Sequence, residues 1–435
     1  MREIIRQKIV DSLASRPPAL TPRDVRIPKV PGKAIAVIGM RRSGKTTFLW
    51  QLLQERLELG AARESLLYFN FEDERLAGLA AGDLQWLVEE YYLLHPEFRD
   101  RRRVTFFLDE IQVTSGWETF ARRLMDTEMI DLFLSGSSAR LLSREVATAM
   151  RGRAMEALVH PFSFREYLRH RGAEPRKSVA RSTKAERSAL DKHLLEYLAE
   201  GGFPEGQGVE RRDRFELLRT YVDTALFRDV VERYAVSQPV ALRWMVRQLL
   251  GNAGGLFSVQ KFYDGLRSQG VSVGKDTLHA YLAHLEDAFL VRTVSIATDS
   301  ERRRQTNPRK AYPIDSGLIP VFDRSGKANT GHALETAVLL ELERRGFTAA
   351  YVRTAEGYEV DFLAQGPEGE ELLIQVCAEM DAAETLEREI RALAAAAAEH
   401  PRAKLMIITL SPPTGAAKLE GKCEMHTATD WLLVS

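Results

Sequence analysis

The sequence predicts an α/β protein of several domains, and three patterns point that way. Short apolar runs of strand length alternate with stretches of helical period through the first third of the chain. A helix–turn–helix–strand pattern follows in the middle. A helix, a strand, a hairpin and a further helix close the C-terminal third. At 435 residues the length suits about three domains.

The first strand, Ala34 to Ile38, runs into Gly39-Met-Arg-Arg-Ser-Gly-Lys-Thr46, and Thr47-Phe-Leu-Trp-Gln-Leu-Leu53 then takes up a helical period. This is a phosphate-binding loop in its strand–loop–helix context. Gly39 and Gly44 let the backbone curl so that its N–H groups, with those of Arg41, Arg42, Ser43 and Thr47, face phosphate oxygens. Lys45 offers a point charge to the β- and γ-phosphates, and Thr46 a hydroxyl to Mg²⁺. The expected cofactors are ATP and Mg²⁺.

Ser65-Leu-Leu-Tyr-Phe-Asn-Phe-Glu72 is a second strand candidate, and Arg103-Val-Thr-Phe-Phe-Leu-Asp-Glu110 a third that ends in two carboxylates. Asp109 is placed to hold the water shell of Mg²⁺, and Glu110 to orient or deprotonate the attacking water. Ile130-Asp-Leu-Phe-Leu-Ser-Gly-Ser137 is a fourth strand running into small polar residues. Ser135 or Ser137 there serves either as a γ-phosphate sensor or in turn chemistry alone.

Ser258 is expected to cap an amphipathic helix from Val259 to Ser268, stopped by Gly270. A second helix begins near Lys275, with Leu278, Tyr281, Leu282 and Leu285 on one face, and Phe289 to Ser295 reads as a strand. That outline is a winged helix-turn-helix. Lys275, His279 and His284 are the outward residues of its second helix, which is thin for reading bases. The stronger electrostatic footprint is Arg302-Arg303-Arg304 with Arg309 and Lys310. The run suits either phosphate contacts or a solvated face on a protein-binding module.

Charge is distributed unevenly. Lys+Arg and Asp+Glu balance at 61 each. Val236 to Lys310 nevertheless holds 11 basic against 6 acidic residues, and Ala311 to Ser435 holds 11 against 20. A basic middle beside an acidic end favours a nucleic-acid partner for the middle alone. Two cysteines, Cys377 and Cys423, make no disulfide framework or paired metal-ligand spacing. No apolar run approaches the ~18 residues that span a bilayer, and Met1-Arg-Glu-Ile-Ile does not open a signal peptide. The chain reads as cytoplasmic, with no membrane partner.

Gly39 to Thr47, Phe107-Leu-Asp-Glu-Ile-Gln112 with Trp117 shortly after, and Ser135-Gly-Ser-Ser-Ala139 resemble the archaeal-type AAA ATPase family. Gly152-Arg153, Pro161-Phe-Ser-Phe-Arg-Glu166, Gly201-Gly-Phe-Pro-Glu205 and Phe227 to Arg233 continue the resemblance. It implies an AAA-type core with a helical lid, related to the signalling STAND ATPases, and a winged helix-turn-helix in the middle. Arg151 and Arg153 are then candidates for an arginine on the γ-phosphate, in cis or from a neighbouring copy, with Arg228 a weaker one; a basic turn is the alternative for the first two. A trans arginine would make the protein a homo-oligomer.

The resemblance extends to the nuclease-like α/β domain often fused to this family. A helical Glu, a strand Asp and an (Asp/Glu)-x-Lys on the next strand make up its PD-(D/E)xK constellation. Glu335, Asp361 and the triplet Gln375-Val376-Cys377 fall in those places. Gln375 carries no charge for a divalent cation, and Cys377 stands where the lysine belongs, so the nuclease fold is expected with its catalysis lost or altered. The expected division is a P-loop core over 1–160 including an N-terminal helix, a helical lid over 161–235, the winged helix over 236–310 and the nuclease-like domain over 311–435. Three functions suit it: a DNA-associated ATPase, a STAND-like switch that assembles with ATP and binds a protein partner, or an ATP-dependent nuclease.

Overall fold

A computed structural model describes residues 1–136, 150–177, 179–323, 329–378, 383–411 and 423–434. Ser137 lies outside the described residues. The chain forms two compact units, Met1–His160 and Pro161–Ser435.

The first unit is built on a five-stranded sheet. Its strands are β1 (Ala34–Ile38), β2 (Leu66–Asn70), β3 (Val104–Asp109), β4 (Ile130–Ser135) and β5 (Ala154–Leu158), in the order β2-β3-β4-β1-β5 and parallel throughout. β1 and β3 are buried along their whole length, which explains why they read as unbroken apolar runs and not as alternating ones. The strand between β1 and β3 is β4, while β2 lies at the edge. Phe48, Leu49, Leu52 and Leu53 of the helix Lys45–Glu58 pack against Phe107 and Phe133, whose rings stack with centroids 5.1 Å apart. The helix Arg2–Ala14 packs on β2 and on the helix Leu84–Leu94. Because the strands are parallel, the ends of β1, β3 and β4 meet at one edge, and the loops after them converge there.

Among the described residues the second unit has two sheets. Helices Phe164–His170 and Lys184–Glu200 each begin with a capping box, from Ser163 with Glu166 and from Thr183 with Glu186. Their apolar residues Phe164, Tyr167, Leu194 and Tyr197 share one core with Leu334 and Val338 and with Trp431 near the C-terminus. The part of the expected lid segment from Phe162 to Leu198 thus contributes to a core of the second unit. A stretch of π-helix, Ala225–Val231, carries Arg228 on an exposed face.

In the middle, Ser258 accepts from the Lys261 amide and caps the helix Val259–Ser268; Gly270, at φ +76°, turns the chain towards the helix Lys275–Asp287. β6 (Leu256–Phe257), β7 (Val291–Val294) and β8 (Arg309–Pro313) form an antiparallel sheet in the order β6-β8-β7. Arg302, Arg303 and Arg304 lie on a short helix, Glu301–Thr306, between β7 and β8.

The C-terminal part opens with the helix Thr330–Arg344. β10 (Glu359–Gln365) runs antiparallel to both β9 (Thr348–Arg353) and β11 (Glu371–Cys377), and β12 (Lys404–Thr409) and β13 (Cys423–Thr427) continue in parallel beyond β11. The helix Thr330–Arg344 covers one face of this sheet and Ala383–Glu399 the other. Among the described residues no helix is long and apolar enough to cross a membrane.

Candidate functional site

The loop after β1 has the conformation its glycines were expected to permit. Gly39 has φ +147°, and a Cβ there would lie 2.3 Å from the Val159 carbonyl oxygen, so no other residue fits without moving the backbone. Gly44, at φ +100°, is the N-cap of the helix Lys45–Glu58, which aims the positive end of its dipole at the loop. Lys45 is buried, and its ammonium donates to the carbonyls of Gly39 at 3.1 Å and Met40 at 2.9 Å. Arg41 lies 3.7 Å from Glu72, and Arg42 has φ +66°. Ser43 is buried, whereas Thr46 is exposed and Thr47 half-buried. Arg23 supports the loop from below: it donates to the carbonyl of Ser43 at 2.9 Å and to that of His160.

At the end of β3, Asp109 is fully buried and draws together three hydroxyls. Thr46 donates to its Oδ2 at 2.8 Å, Tyr68 of β2 donates to the same oxygen at 2.7 Å, and Ser135 of β4 donates to Oδ1. Burial, and then the negative charge of Asp109, push the Tyr68 phenol far above its ordinary range, so it stays a donor. Among the described residues no cationic side chain pairs with Asp109. Glu110 follows in a left-handed conformation, φ +53°, uncommon for a residue with a side chain. Its amide donates to the Ser135 hydroxyl at 3.2 Å, and Gln112 donates to its carboxylate. Ser135 therefore bridges the two acidic residues. Tyr68 and Arg23 went unnoticed in the sequence as site residues, and Gln112 was read only as part of the family motif. The first sits two residues before the end of an edge strand, and Arg23 lies in a stretch without periodicity.

The C-terminal unit holds a second buried polar centre. Glu335 of the helix Thr330–Arg344, Asp361 of β10 and Gln375 of β11, the residues that the nuclease-like resemblance singled out, lie around one centre. Asp361 Oδ2 accepts from the Val376 amide at 3.0 Å, and Gln375 accepts from the Asp361 amide at 3.3 Å. Cys377 is half-buried against the core beneath the helix Ala383–Glu399. Into this centre β8 inserts Lys310 and Tyr312. The Lys310 ammonium lies 2.8 Å from Asp361, 3.1 Å from Glu335 and 2.9 Å from Glu359, and Tyr312 donates to Glu335 at 2.5 Å. Burial opposes the charge on Lys310, but Asp361 and Glu335 outweigh it and hold the amine firmly protonated. Burial, then Asp361, drive the Glu335 carboxyl well above its ordinary range.

Comparison with known proteins assigns these parts. The model of an AAA domain matches residues 31–168, a domain of unknown function matches 191–327, and a restriction endonuclease model matches 327–426. An uncharacterized protein of Methanocaldococcus jannaschii is 33% identical over 85% of this chain and 80% of its own length. One of Haemophilus influenzae is 30% identical over 79% and 82%. The chain belongs to the archaeal-type AAA ATPase family, with a C-terminal nuclease-like domain. A Walker-type ATPase of Pyrococcus abyssi, at 16% identity, covers 74% of this chain and 95% of its own with a TM-score of 0.40.

Several residues expected to act in this AAA ATPase are placed elsewhere. Arg151, at φ +49°, and Arg153 precede β5, whose start pairs with Ala34 at the beginning of β1. They lie at the edge opposite the phosphate loop, about 15 Å away at ~3.3 Å per strand residue. A γ-phosphate contact from either within one chain is therefore corrected; Arg153 instead pairs with Asp126. Lys310 as a DNA contact is also corrected, since it is 3% exposed and surrounded by carboxylates. Arg309 is half-buried and lies 3.8 Å from Glu286. His284 does not face outward but stacks on Tyr234 at 3.5 Å between centroids. Lys275, His279, Arg302, Arg303 and Arg304 are exposed, with Arg304 3.2 Å from Glu301.

Proposed function

We propose that this chain binds ATP with Mg²⁺ in its first unit, hydrolyses it, and uses the turnover to change how its second unit engages DNA. The hydrolytic part rests on one observation: the hydroxyls of Thr46, Tyr68 and Ser135 converge on a buried Asp109 directly before Glu110. That donor set fits Mg²⁺. Thr46 offers a hydroxyl ligand, Asp109 holds the ion's waters, and the ion would neutralise the phosphate oxygens. The loop amides and Lys45 bind the phosphates, for which Lys45 exchanges its carbonyl partners. Glu110, held by Gln112, takes a proton from the attacking water.

The DNA part rests on Arg302, Arg303 and Arg304. They stand exposed on the segment between β7 and β8, beside a helix pair whose second helix begins at exposed Lys275. Helix, turn, helix and a three-stranded antiparallel sheet suit a winged helix-turn-helix, and arginines in its wing suit phosphate contacts that position without reading sequence. The family of residues 327–426, described as restriction endonucleases, favours DNA over a protein partner. An arginine from a second copy, Arg151 or Arg153, would complete the ATP site in an oligomer.

ATP turnover measured with single-stranded, duplex and branched DNA tests the reading. Stimulation by at least one form is expected, and Arg302→Ala/Arg303→Ala/Arg304→Ala should weaken binding and flatten its salt dependence by about 0.9 per lost phosphate contact. Turnover indifferent to every DNA form, with assembly driven by ATP alone, would favour a switch that binds a protein.

A further inference from the structure

The nuclease outline implies a divalent cation held by a helical glutamate, a strand aspartate and a third acidic oxygen, with a lysine beside it. The residues present do not fit that ion. Asp361 gives Oδ1 to Lys310 and Oδ2 to the Val376 amide. Glu335 Oε1 accepts from both Lys310 and Tyr312. The third position is Gln375, a neutral amide already accepting from Asp361. Gly254, at φ +72°, lies so close over Glu335 that a Cβ would come within 3.0 Å of its Oε2. Among the described residues no group of three or more His, Cys, Asp or Glu side chains is arranged to hold a metal ion.

We propose that Lys310 is the resident cation of this centre, standing in for the divalent ion and locking β8 to the nuclease-like sheet. An ammonium has three N–H donors, and here it donates to Glu335 and Asp361 at 3.1 and 2.8 Å and forms an ion pair with the exposed Glu359 at 2.9 Å. The oxygens that would ligate a metal are the ones the ammonium holds. The positive charge arrives on β8, from outside the nuclease-like sheet, while the expected lysine position on β11 has become Cys377. The centre is therefore an ionic joint between two sheets, and it fixes the base of the segment that carries Arg302 to Arg304. This holds whether or not the chain acts on DNA.

The test is uptake of Mn²⁺ by the full-length, nucleotide-free protein, followed by electron paramagnetic resonance, with thermal unfolding alongside. Wild type should show no uptake that depends on Asp361. Lys310→Met should lower the unfolding midpoint by roughly 5–15 °C, because two buried carboxylates, Glu335 and Asp361, lose their counter-ion. It should also gain one Mn²⁺ per chain, lost again in Lys310→Met/Asp361→Asn. If Lys310→Met does not fold, Lys310→Met/Glu335→Gln/Asp361→Asn should fold, since the charges are removed together. Three results would overturn the proposal: uptake by wild type that Asp361→Asn abolishes, a Lys310→Met protein with unchanged midpoint and no uptake, or a triple variant no better folded than the single. Mn²⁺-dependent cleavage of DNA by wild type, lost in Asp361→Ala, would overturn it as well.

Discussion

Asp109 and Asp361 are both buried strand aspartates in polar centres, and they are neutralised in opposite ways. Asp109 is surrounded by the hydroxyls of Thr46, Tyr68 and Ser135, which orient its charge without cancelling it. Asp361 faces an ammonium brought in by β8. A carboxylate held only by neutral donors keeps a strong attraction for an incoming cation, whereas one already paired has little left to offer. On the proposed reading the first centre receives a ligand, and the second carries its own. Asp315 is an intermediate case: it is buried and accepts from the backbone amides of Gly202 and Gly317, at 2.6 and 3.0 Å.

Substitutions can break this contrast. Lys45→Ala should have the largest effect, removing measurable ATP binding or turnover while leaving the unfolding midpoint almost unchanged, as calorimetry would show. Lys310→Met should do the reverse: it should destabilise the second unit by about 3–5 kcal/mol and leave basal ATP turnover within about twofold. If both variants lose turnover equally, the two centres are not independent.

Asp315 gives a pH signature. Burial lifts its carboxyl from 3.8 to about 6. The folded state then binds the proton more tightly than the unfolded chain, so stability declines as pH rises between about 4 and 6. The loss is about 3 kcal/mol at 1.36 kcal/mol per pKa unit. In urea unfolding the stability of wild type minus that of Asp315→Asn, which does not titrate, should fall by about that amount across this window; a pH-independent difference would contradict the titration of Asp315. The smallest effect belongs to Tyr68→Phe, which removes one of three donors to Asp109. A bond to a charged group contributes ~1.5–3 kcal/mol, so turnover should fall by roughly ten- to a hundredfold, with folding intact.

The two centres were unequally legible in the sequence. The phosphate loop and the Asp109-Glu110 pair are local signals, each carried by a few consecutive residues that end a buried strand. The nuclease-like residues Glu335, Asp361 and Gln375 were found because their elements follow in chain order. Lys310 was misplaced because it sits beside Arg309 and close to Arg302 to Arg304, where it reads as part of a basic run. Strand alternation held the missing clue. In β8, Lys310 and Tyr312 share one face and Arg309 takes the other, and it is Lys310 and Tyr312 that meet Glu335. Which buried carboxylates wait across 25 and 51 residues of chain depends on tertiary packing, and no local pattern encodes it. The reach of Arg151 and Arg153 was misjudged for a related reason: their distance from the loop is set by strand direction in a parallel sheet.

The claim that the first centre is the working one is tested most directly by Glu110→Gln, with nucleotide affinity and single-turnover hydrolysis measured on the same preparation. The amide keeps the shape of the side chain but cannot take a proton from water. Affinity for ATP should stay within about threefold of wild type, while hydrolysis falls by roughly 10²–10⁴-fold. Hydrolysis at the wild-type rate, with Glu110→Gln folded and nucleotide bound, would contradict the assignment.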